Sequence, residues 1–387
     1  MQAPSIDDDP LLSGITVLDL SQGVAGPYCG LLLRQQGARV IKIEPPGGDW
    51  SRQMGRSRGD GQTAIAIACN AGKQSVVLDT RTPEGRADLQ ALAARADVVV
   101  QNFRPGVAAR MGADPGLLAA LNPRQVYLSI SGYGSQGPLA RLPALDTTMQ
   151  AYAGLMHANR DPATGAPHRI GLLLADLATA LYAAQCATAA LFKAARTGRG
   201  RHLELSMLQV CAALQSYLIV DDAMFPDAEA AAFNAPTGLF PVADGTLYVS
   251  MLDDAMFTRL CEVLGFEDWR QDPRLRTSAG RLPHARALSA RLAQALAGQP
   301  LAHWERLFQA HDILFGRVRQ PRDLVDDPQA LSQGLFQRTP PGCAWPGLPL
   351  PRLPGQVRDA GALVPPALGA DTQAVLQEFG LRRAWSV

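Results

Sequence analysis

No two cysteines in this chain have the spacing of a metal or redox motif. The six, Cys29, Cys69, Cys186, Cys211, Cys261 and Cys343, are scattered without a C-x-x-C pair. That argues against a zinc site and against a disulfide framework, and it suits a reducing compartment. An excess of charge of either sign is also missing. Lys+Arg total 36 and Asp+Glu 35, a net +1, which gives no pull toward nucleic acid or an anionic membrane. The start, Met1 to Asp9, is acidic and lacks an apolar signal core, so a cytoplasmic location is expected. The longest apolar run, Gly171 to Phe192, is broken by Asp176 and Gln185 and reads as a buried helix rather than a membrane span. Internal repeats, low-complexity tracts and the G-x-G-x-x-G dinucleotide fingerprint are absent too.

What is present is apolar surface. Hydrophobic residues make up 47% of 387, enough for two domains or one large domain with an inserted module. Ile15 to Ser21 reads as a strand, Gln22 to Pro27 as a loop, and the stretch to Gln36 as a helix stopped by Gly37. Arg39 to Glu44 is a second strand, and Glu44 at its end stands where a ribose-binding acid would. This βαβ unit implies a parallel sheet with ligands at the carboxyl ends of the strands. Further strands are expected at Gln74–Asp79, Asp97–Phe103 and Gln125–Ser131. Between the first two of these, Thr82-Pro83-Glu84 opens a helix as a cap, a first-position proline and a first-turn acid. Gly23, Asn102 and Gly132 would line one rim. Helices are expected at Thr147–Met156, Asp176–Arg196 and Leu203–Tyr217. Phe225 to Ala235 reads as a linker. A smaller α+β domain is expected at 234–322, with a hairpin turning at Asp244-Gly245 and helices at about 254–264, 281–296 and 301–311. Gly334 to Pro366, dense in Pro and Gly, reads as an extended excursion, and Asp371 to Phe379 as the last helix.

One residue stands out. Between Arg169 and Lys193 the only charge is Asp176, set among Leu, Ala, Gly and Thr. A carboxylate there must be paired, hydrogen-bonded, protonated or kept reactive. Two readings follow: a helix cap satisfied by backbone amides, or a desolvated nucleophile for an activated carbonyl.

Four ordered pieces resemble the class III coenzyme A transferases of the CaiB/BaiF type. They are Val17-Leu18-Asp19-Leu20-Ser21 with Gly26-Pro27 and Gly37 to Asp49; Asn102-Phe103-Arg104-Pro105-Gly106 with Arg110-Met111-Gly112; Ser131 to Gly134 with Gly137-Pro138 and Asp146; and Asp176 with Arg196 to Gly200. Pro365 to Thr372 matches a fifth segment. The resemblance implies an α/β fold: a Rossmann-like large domain built from both chain ends (1–233 and 323–387), the smaller domain inserted, and two chains interlocked as a homodimer. It implies small-molecule partners, an acyl-CoA and a carboxylic acid, with no nucleic acid, membrane, metal or permanent cofactor. Asp176 falls on the family's catalytic aspartate. It would pass through an acyl anhydride and an aspartyl-CoA thioester. The family's CoA contacts fall on Gly23, Val24, Pro45, Cys69, Asn70, Ala71, Gly72, Asn102, Phe103, Arg104, Arg110, Pro143, Ala144, Leu145 and Asp146. Arg104 and Arg110 are the natural phosphate partners.

The chain also departs from its kin. Formyl-CoA transferases have Gln at the place of Val24, Arg at Pro45 and Lys at Pro143. The glycine-run loop of oxalate-using members has no counterpart between Asn234 and Ser250. Racemases of the family use a His at the place of Leu145, and Leu cannot move a proton. His157 and His168 lie elsewhere in the sequence. A racemase, or a CoA-binding protein without catalysis, stays as an alternative. Leu145 and Leu172 to Leu174 point to an apolar acid.

Overall fold

Residues 10–161, 164–226, 233–354 and 363–381 are described by the computed structural model. The chain divides into two compact units, 1–220 with 331–387, and 221–330. In the first, short runs of β-branched residues form a six-stranded parallel sheet. Its strands are β1 (Thr16–Asp19), β2 (Arg39–Glu44), β3 (Gln74–Val77), β4 (Val98–Gln101), β5 (Val126–Ser131) and β6 (Arg201–Ser206), in the order β3-β2-β1-β4-β5-β6. Val98, Val99 and Val100 are all buried, as a strand covered on both faces requires.

Each face has its own core. On one, Val17, Val100 and Leu128 meet Leu33, Ala183 and Ala187 from the helices Ala25–Gln35 and Leu174–Thr197. On the other, Leu18, Ile41 and Val76 meet Leu89, Leu92 and Leu118 from Pro83–Ala93 and Pro115–Leu121. Leu174–Thr197 is long and apolar enough to cross a membrane by length and composition. Here its stripe of Ala180, Ala183, Ala184, Ala187 and Ala190 lies buried on the sheet.

The sixth strand corrects the expectation of one helix over Leu203–Tyr217. Arg201–Ser206 runs beside β5, from Val126↔Arg201 to Ser131↔Ser206, and the helix begins at Met207. Leu203 and Leu205 alternate with exposed His202 and Glu204, a period of two that a helix cannot use. Gly200 admits the strand: a Cβ there would fall 1.8 Å from the Gln125 carbonyl oxygen. The expected helix over Thr147–Met156 is likewise two, Asp146–Tyr152 and Leu155–Ala158, parted by Gly154 at φ 89°.

At the opposite edge, β3 is finished by residues almost three hundred positions later. Ser75 N–H donates to Asp371 Oδ2 at 2.8 Å, Asp371 N–H returns to the Ser75 carbonyl at 3.0 Å, and Val77 N–H donates to Thr372 Oγ1 at 2.9 Å.

The second unit holds an antiparallel sheet of β7 (Thr237–Val242), β8 (Gly245–Ser250) and β9 (Phe315–Arg317). Leu247 and Val249 pack with Phe257, Leu292, Trp304 and Phe308 from three helices, Asp254–Leu264, Ala285–Leu296 and Leu301–Ala310. Most of the stretch read as a linker, 227–232, lies outside the described residues. So do 355–362 of the excursion, whose described part forms an antiparallel pair, β10 (Phe336–Arg338) and β11 (Pro349–Pro351).

Candidate active site

Loops leaving the carboxyl ends of β1, β2, β4 and β5 converge where the helix Leu174–Thr197 begins, the usual place for a ligand on a parallel sheet. Beneath them runs a buried ionic network. Lys73 Nζ donates to Asp19 Oδ2 at 2.8 Å, the Pro27 carbonyl at 2.6 Å and Asn70 Oδ1 at 2.9 Å. Lys42 Nζ donates to the Ser21 carbonyl at 2.5 Å and pairs with Asp49 Oδ2 at 3.0 Å. Asp19 sits below the usual carboxylate range: burial opposes ionisation, but Lys42 and Lys73 outweigh it. Asp49 Oδ1 accepts from the N–H groups of Gly23 at 3.0 Å and Ser51 at 2.8 Å, fixing both loops to one carboxylate.

Glu44 proves to be part of this scaffold and not a ribose ligand. It takes Arg52 through two 2.7 Å contacts, Ser75 Oγ at 2.7 Å and Asp49 N–H at 3.0 Å. Burial pushes its pKa up, but Arg52 and Lys42 pull it down to about 2. The loop above is tight. Gly23 has φ +80°, and a Cβ there would meet the Trp50 ring at 2.1 Å.

Asp176 lies in the first helical turn, half-buried, on the wall of a cavity of about 80 Å³ that Val24, Ala25, Trp50, Ile130, Ala144, Leu145 and Met207 also line. It is not the cap of its own helix. That role belongs to buried Asp146, whose Oδ1 accepts the N–H groups of Ala175 at 2.8 Å and Asp176 at 3.2 Å. Gln150 ties the approach together. Its Nε2 donates to Asp146 Oδ2 at 2.7 Å and to the Leu172 carbonyl at 2.9 Å, and its Oε1 accepts Ile170 N–H at 3.0 Å. Burial, then the charge of Asp146, push the Asp176 carboxyl up to about 7. Asp146→Asn keeps the Oδ1 acceptor for the helix N–H groups, loses the one that Gln150 Nε2 uses, and removes the charge. The acid limb of the kcat/KM profile should then move to lower pH by up to about one unit, as an initial-rate pH series would show. An unmoved limb would mean that Asp146 does not reach Asp176 electrostatically.

Val24, Asn102, Phe103, Arg104, Pro143, Ala144 and Leu145 border this cavity or the adjoining cleft of about 400 Å³. Arg104 is exposed in that cleft. Asn102 is committed to the loop, accepting Gln22 N–H at 2.8 Å and donating to the Gln22 carbonyl at 2.6 Å. The other expected contacts lie apart from its lining. Gly23 is tied to Asp49, and Asp146 stands behind Asp176. Pro45 is exposed in the loop after β2. Cys69, Asn70 and Ala71 are buried at the end of the helix Ala64–Asn70. Gly72 N–H donates to the Val364 carbonyl at 2.8 Å, and Arg110 is exposed at the end of Val107–Arg110. Trp50, Gln22, Ser131 and Met207 line the space without having been singled out as ligands in the sequence. The available signal for Trp50 was a lone indole in the turn after β2.

Comparisons with known proteins identify the family and the fold. The sequence pattern of CoA-transferase family III matches residues 12–372. An acetyl-CoA:oxalate CoA-transferase of Acetobacter aceti is 35% identical over 87% of this chain and 88% of its own. A succinate–glutarate CoA-transferase of Agrobacterium fabrum is 33% identical over 96% of each. The crystal structure of a CaiB/BaiF family protein from Brucella suis superimposes with a TM-score of 0.85 at 30% identity, covering 95% of this chain and 99% of that one. Matched over nearly its whole length, the chain is an acyl-CoA:carboxylate CoA-transferase and belongs to CoA-transferase family III.

Proposed function

We propose that Asp176 carries the acyl group and then the CoA sulfur between two acids. Its carboxylate attacks the thioester carbonyl of the donor, the C–S bond breaks, and CoA leaves as thiolate. The thiolate then attacks the aspartyl carbonyl of the anhydride. This frees the donor acid and leaves an aspartyl-CoA thioester. An acceptor carboxylate attacks that thioester, and the returning thiolate takes the acceptor's acyl group, restoring Asp176. Two acids exchange one CoA, and the thioester bond energy is conserved without a permanent cofactor. The first turn of Ala25–Gln35 opens on the cavity at Val24 and Ala25. Pro27 has no N–H and Tyr28 N–H is bonded to the Val24 carbonyl, so the N–H groups of Ala25 and Gly26 are the ones that suit the oxyanions of each step. Arg104 suits a CoA phosphate.

One observation carries this reading: a carboxylate on a cavity wall, raised to about 7 by burial, with no side-chain hydrogen bond among the described residues. The working form is proposed to be a cytoplasmic, interlocked homodimer. Exposed Tyr217, Ile219 and Val220 support an apolar partner surface, and sedimentation should give twice 41.2 kDa. The chemical test is trapping. Acyl-CoA followed by hydroxylamine should convert Asp176 to its hydroxamate, found by peptide mass spectrometry. Deuterium uptake at the α-carbon with no hydroxamate would instead assign a racemase.

A further inference from the structure

Resting on Asp176 as the relay, we infer that the acid handled here is uncharged beyond its reacting carboxyl: a short aliphatic or aromatic monocarboxylate, not a dicarboxylate. The cavity beside Asp176 is walled mainly by Val24, Ile130, Leu145 and Met207. Besides Asp176, four side chains with a polar atom also face it: Gln22, Trp50, Asn102 and Ser131. Two have their bonding groups engaged elsewhere. Asn102 is closed on the Gln22 backbone at both ends of its amide. Ser131 Oγ donates to the Leu205 carbonyl at 3.3 Å and accepts Gly134 N–H at 3.1 Å. That leaves two neutral groups, the amide of Gln22 and the indole N–H of Trp50.

Among the described residues no Lys, Arg or His borders this cavity. Arg104 lines the adjoining cleft, and the buried Lys42 and Lys73 are already paired with Asp49 and Asp19. The site already holds two carboxylates, Asp176 and, behind it, Asp146. A distal carboxylate on the acyl group would lose its water, find no counter-charge and add a third negative charge. An alkyl or aryl group meets none of these penalties and buries apolar surface against Leu145 and Met207. Leu145, 58% exposed at the cavity mouth, is the specificity position a single substitution can reach.

The experiment uses the full chain and acids matched at four carbons. With acetyl-CoA as donor, butyrate and succinate are offered as acceptors, and the new thioester is read by mass spectrometry. Butyrate should be favoured about 100-fold in kcat/KM. Succinate equal to or better than butyrate overturns the inference. Leu145→Arg supplies the missing cation and should raise kcat/KM for succinate at least tenfold relative to butyrate. Equal loss for both acids would show only structural damage at Leu145 and count against its role. If Asp176 forms a hydroxamate with acetyl-CoA but butyrate is refused, the relay stands and the inference falls. If no acyl-CoA yields a hydroxamate, the relay falls. The inference is then read from binding: butyryl-CoA at least tenfold tighter than succinyl-CoA upholds it, and equal affinity overturns it.

Discussion

Asp176→Asn should lower CoA transfer by about 10⁴-fold or more, and the same change should make the protein more stable at pH 8. The first effect follows from losing the attacking oxygen, for which a neutral amide is no substitute. The second follows from linkage. The folded pKa is about 7 against an ordinary 3.8. Below pH 3.8 both folded and unfolded chains carry the proton, and burial of this group costs nothing. As pH rises from 3.8 to 7 the unfolded chain ionises first, so the folded state loses stability progressively. Above 7 the full penalty is present. At 1.36 kcal/mol per pH unit, reduced because the group is only half-buried, that penalty is about 2–4 kcal/mol. Asparagine removes it. Calorimetry should show Tm raised by about 2–5 °C at pH 8, with the gap narrowing toward pH 5. A variant less stable than the parent at pH 8 would mean that the carboxylate is well satisfied in the fold, and the account of its reactivity would fail.

Lys73→Met should cost about 3–5 kcal/mol of stability. The ammonium is completely enclosed and serves three acceptors, Asp19, the Pro27 carbonyl and Asn70. Methionine fills the same volume and leaves all three without that donor. Asp19 keeps Ser21 and the nearby charge of Lys42, which is not enough to replace a direct ion pair. Pairing the change with Asp19→Asn should recover much of the loss, because the stranded charge is then gone. Denaturant unfolding of the two single variants and the double variant measures the coupling directly. A loss under about 1 kcal/mol for Lys73→Met would mean that water reaches the network.

The same lysines show what the sequence could and could not reveal. β1 to β5 were readable because each is a short apolar run closed by glycine, proline or a polar turn. β6 was not. It follows closely on a 24-residue helix, and the alternation of His202, Leu203, Glu204 and Leu205 is too short to stand out beside that helix; the pairing with β5 makes it plain. Asp176 was visible as one charge in an apolar stretch, and Arg104 as a cation in a loop after a strand. Lys42, inside Arg39–Glu44, looks from its neighbours like an outward-facing strand residue. It is 1% exposed because the sheet is covered on both sides and two loops fold over its end. The service of Asp49 to Gly23 and the place of Trp50 against that glycine depend on loops 26 residues apart meeting. Local pattern does not encode such meetings, whereas strand periodicity and isolated charges are local properties.

The polar clasp that residues 371 and 372 place on β3 bears on how the chain is made. Thr372 bonds to Val77 across 295 positions. During synthesis, therefore, the outermost strand of the sheet must wait for nearly the whole polypeptide to emerge. Until then its ladder is open to any passing strand. Such distant closure is slow to find and exposed while it waits. A ribosome that stalls before residue 371 would release a sheet with a sticky margin.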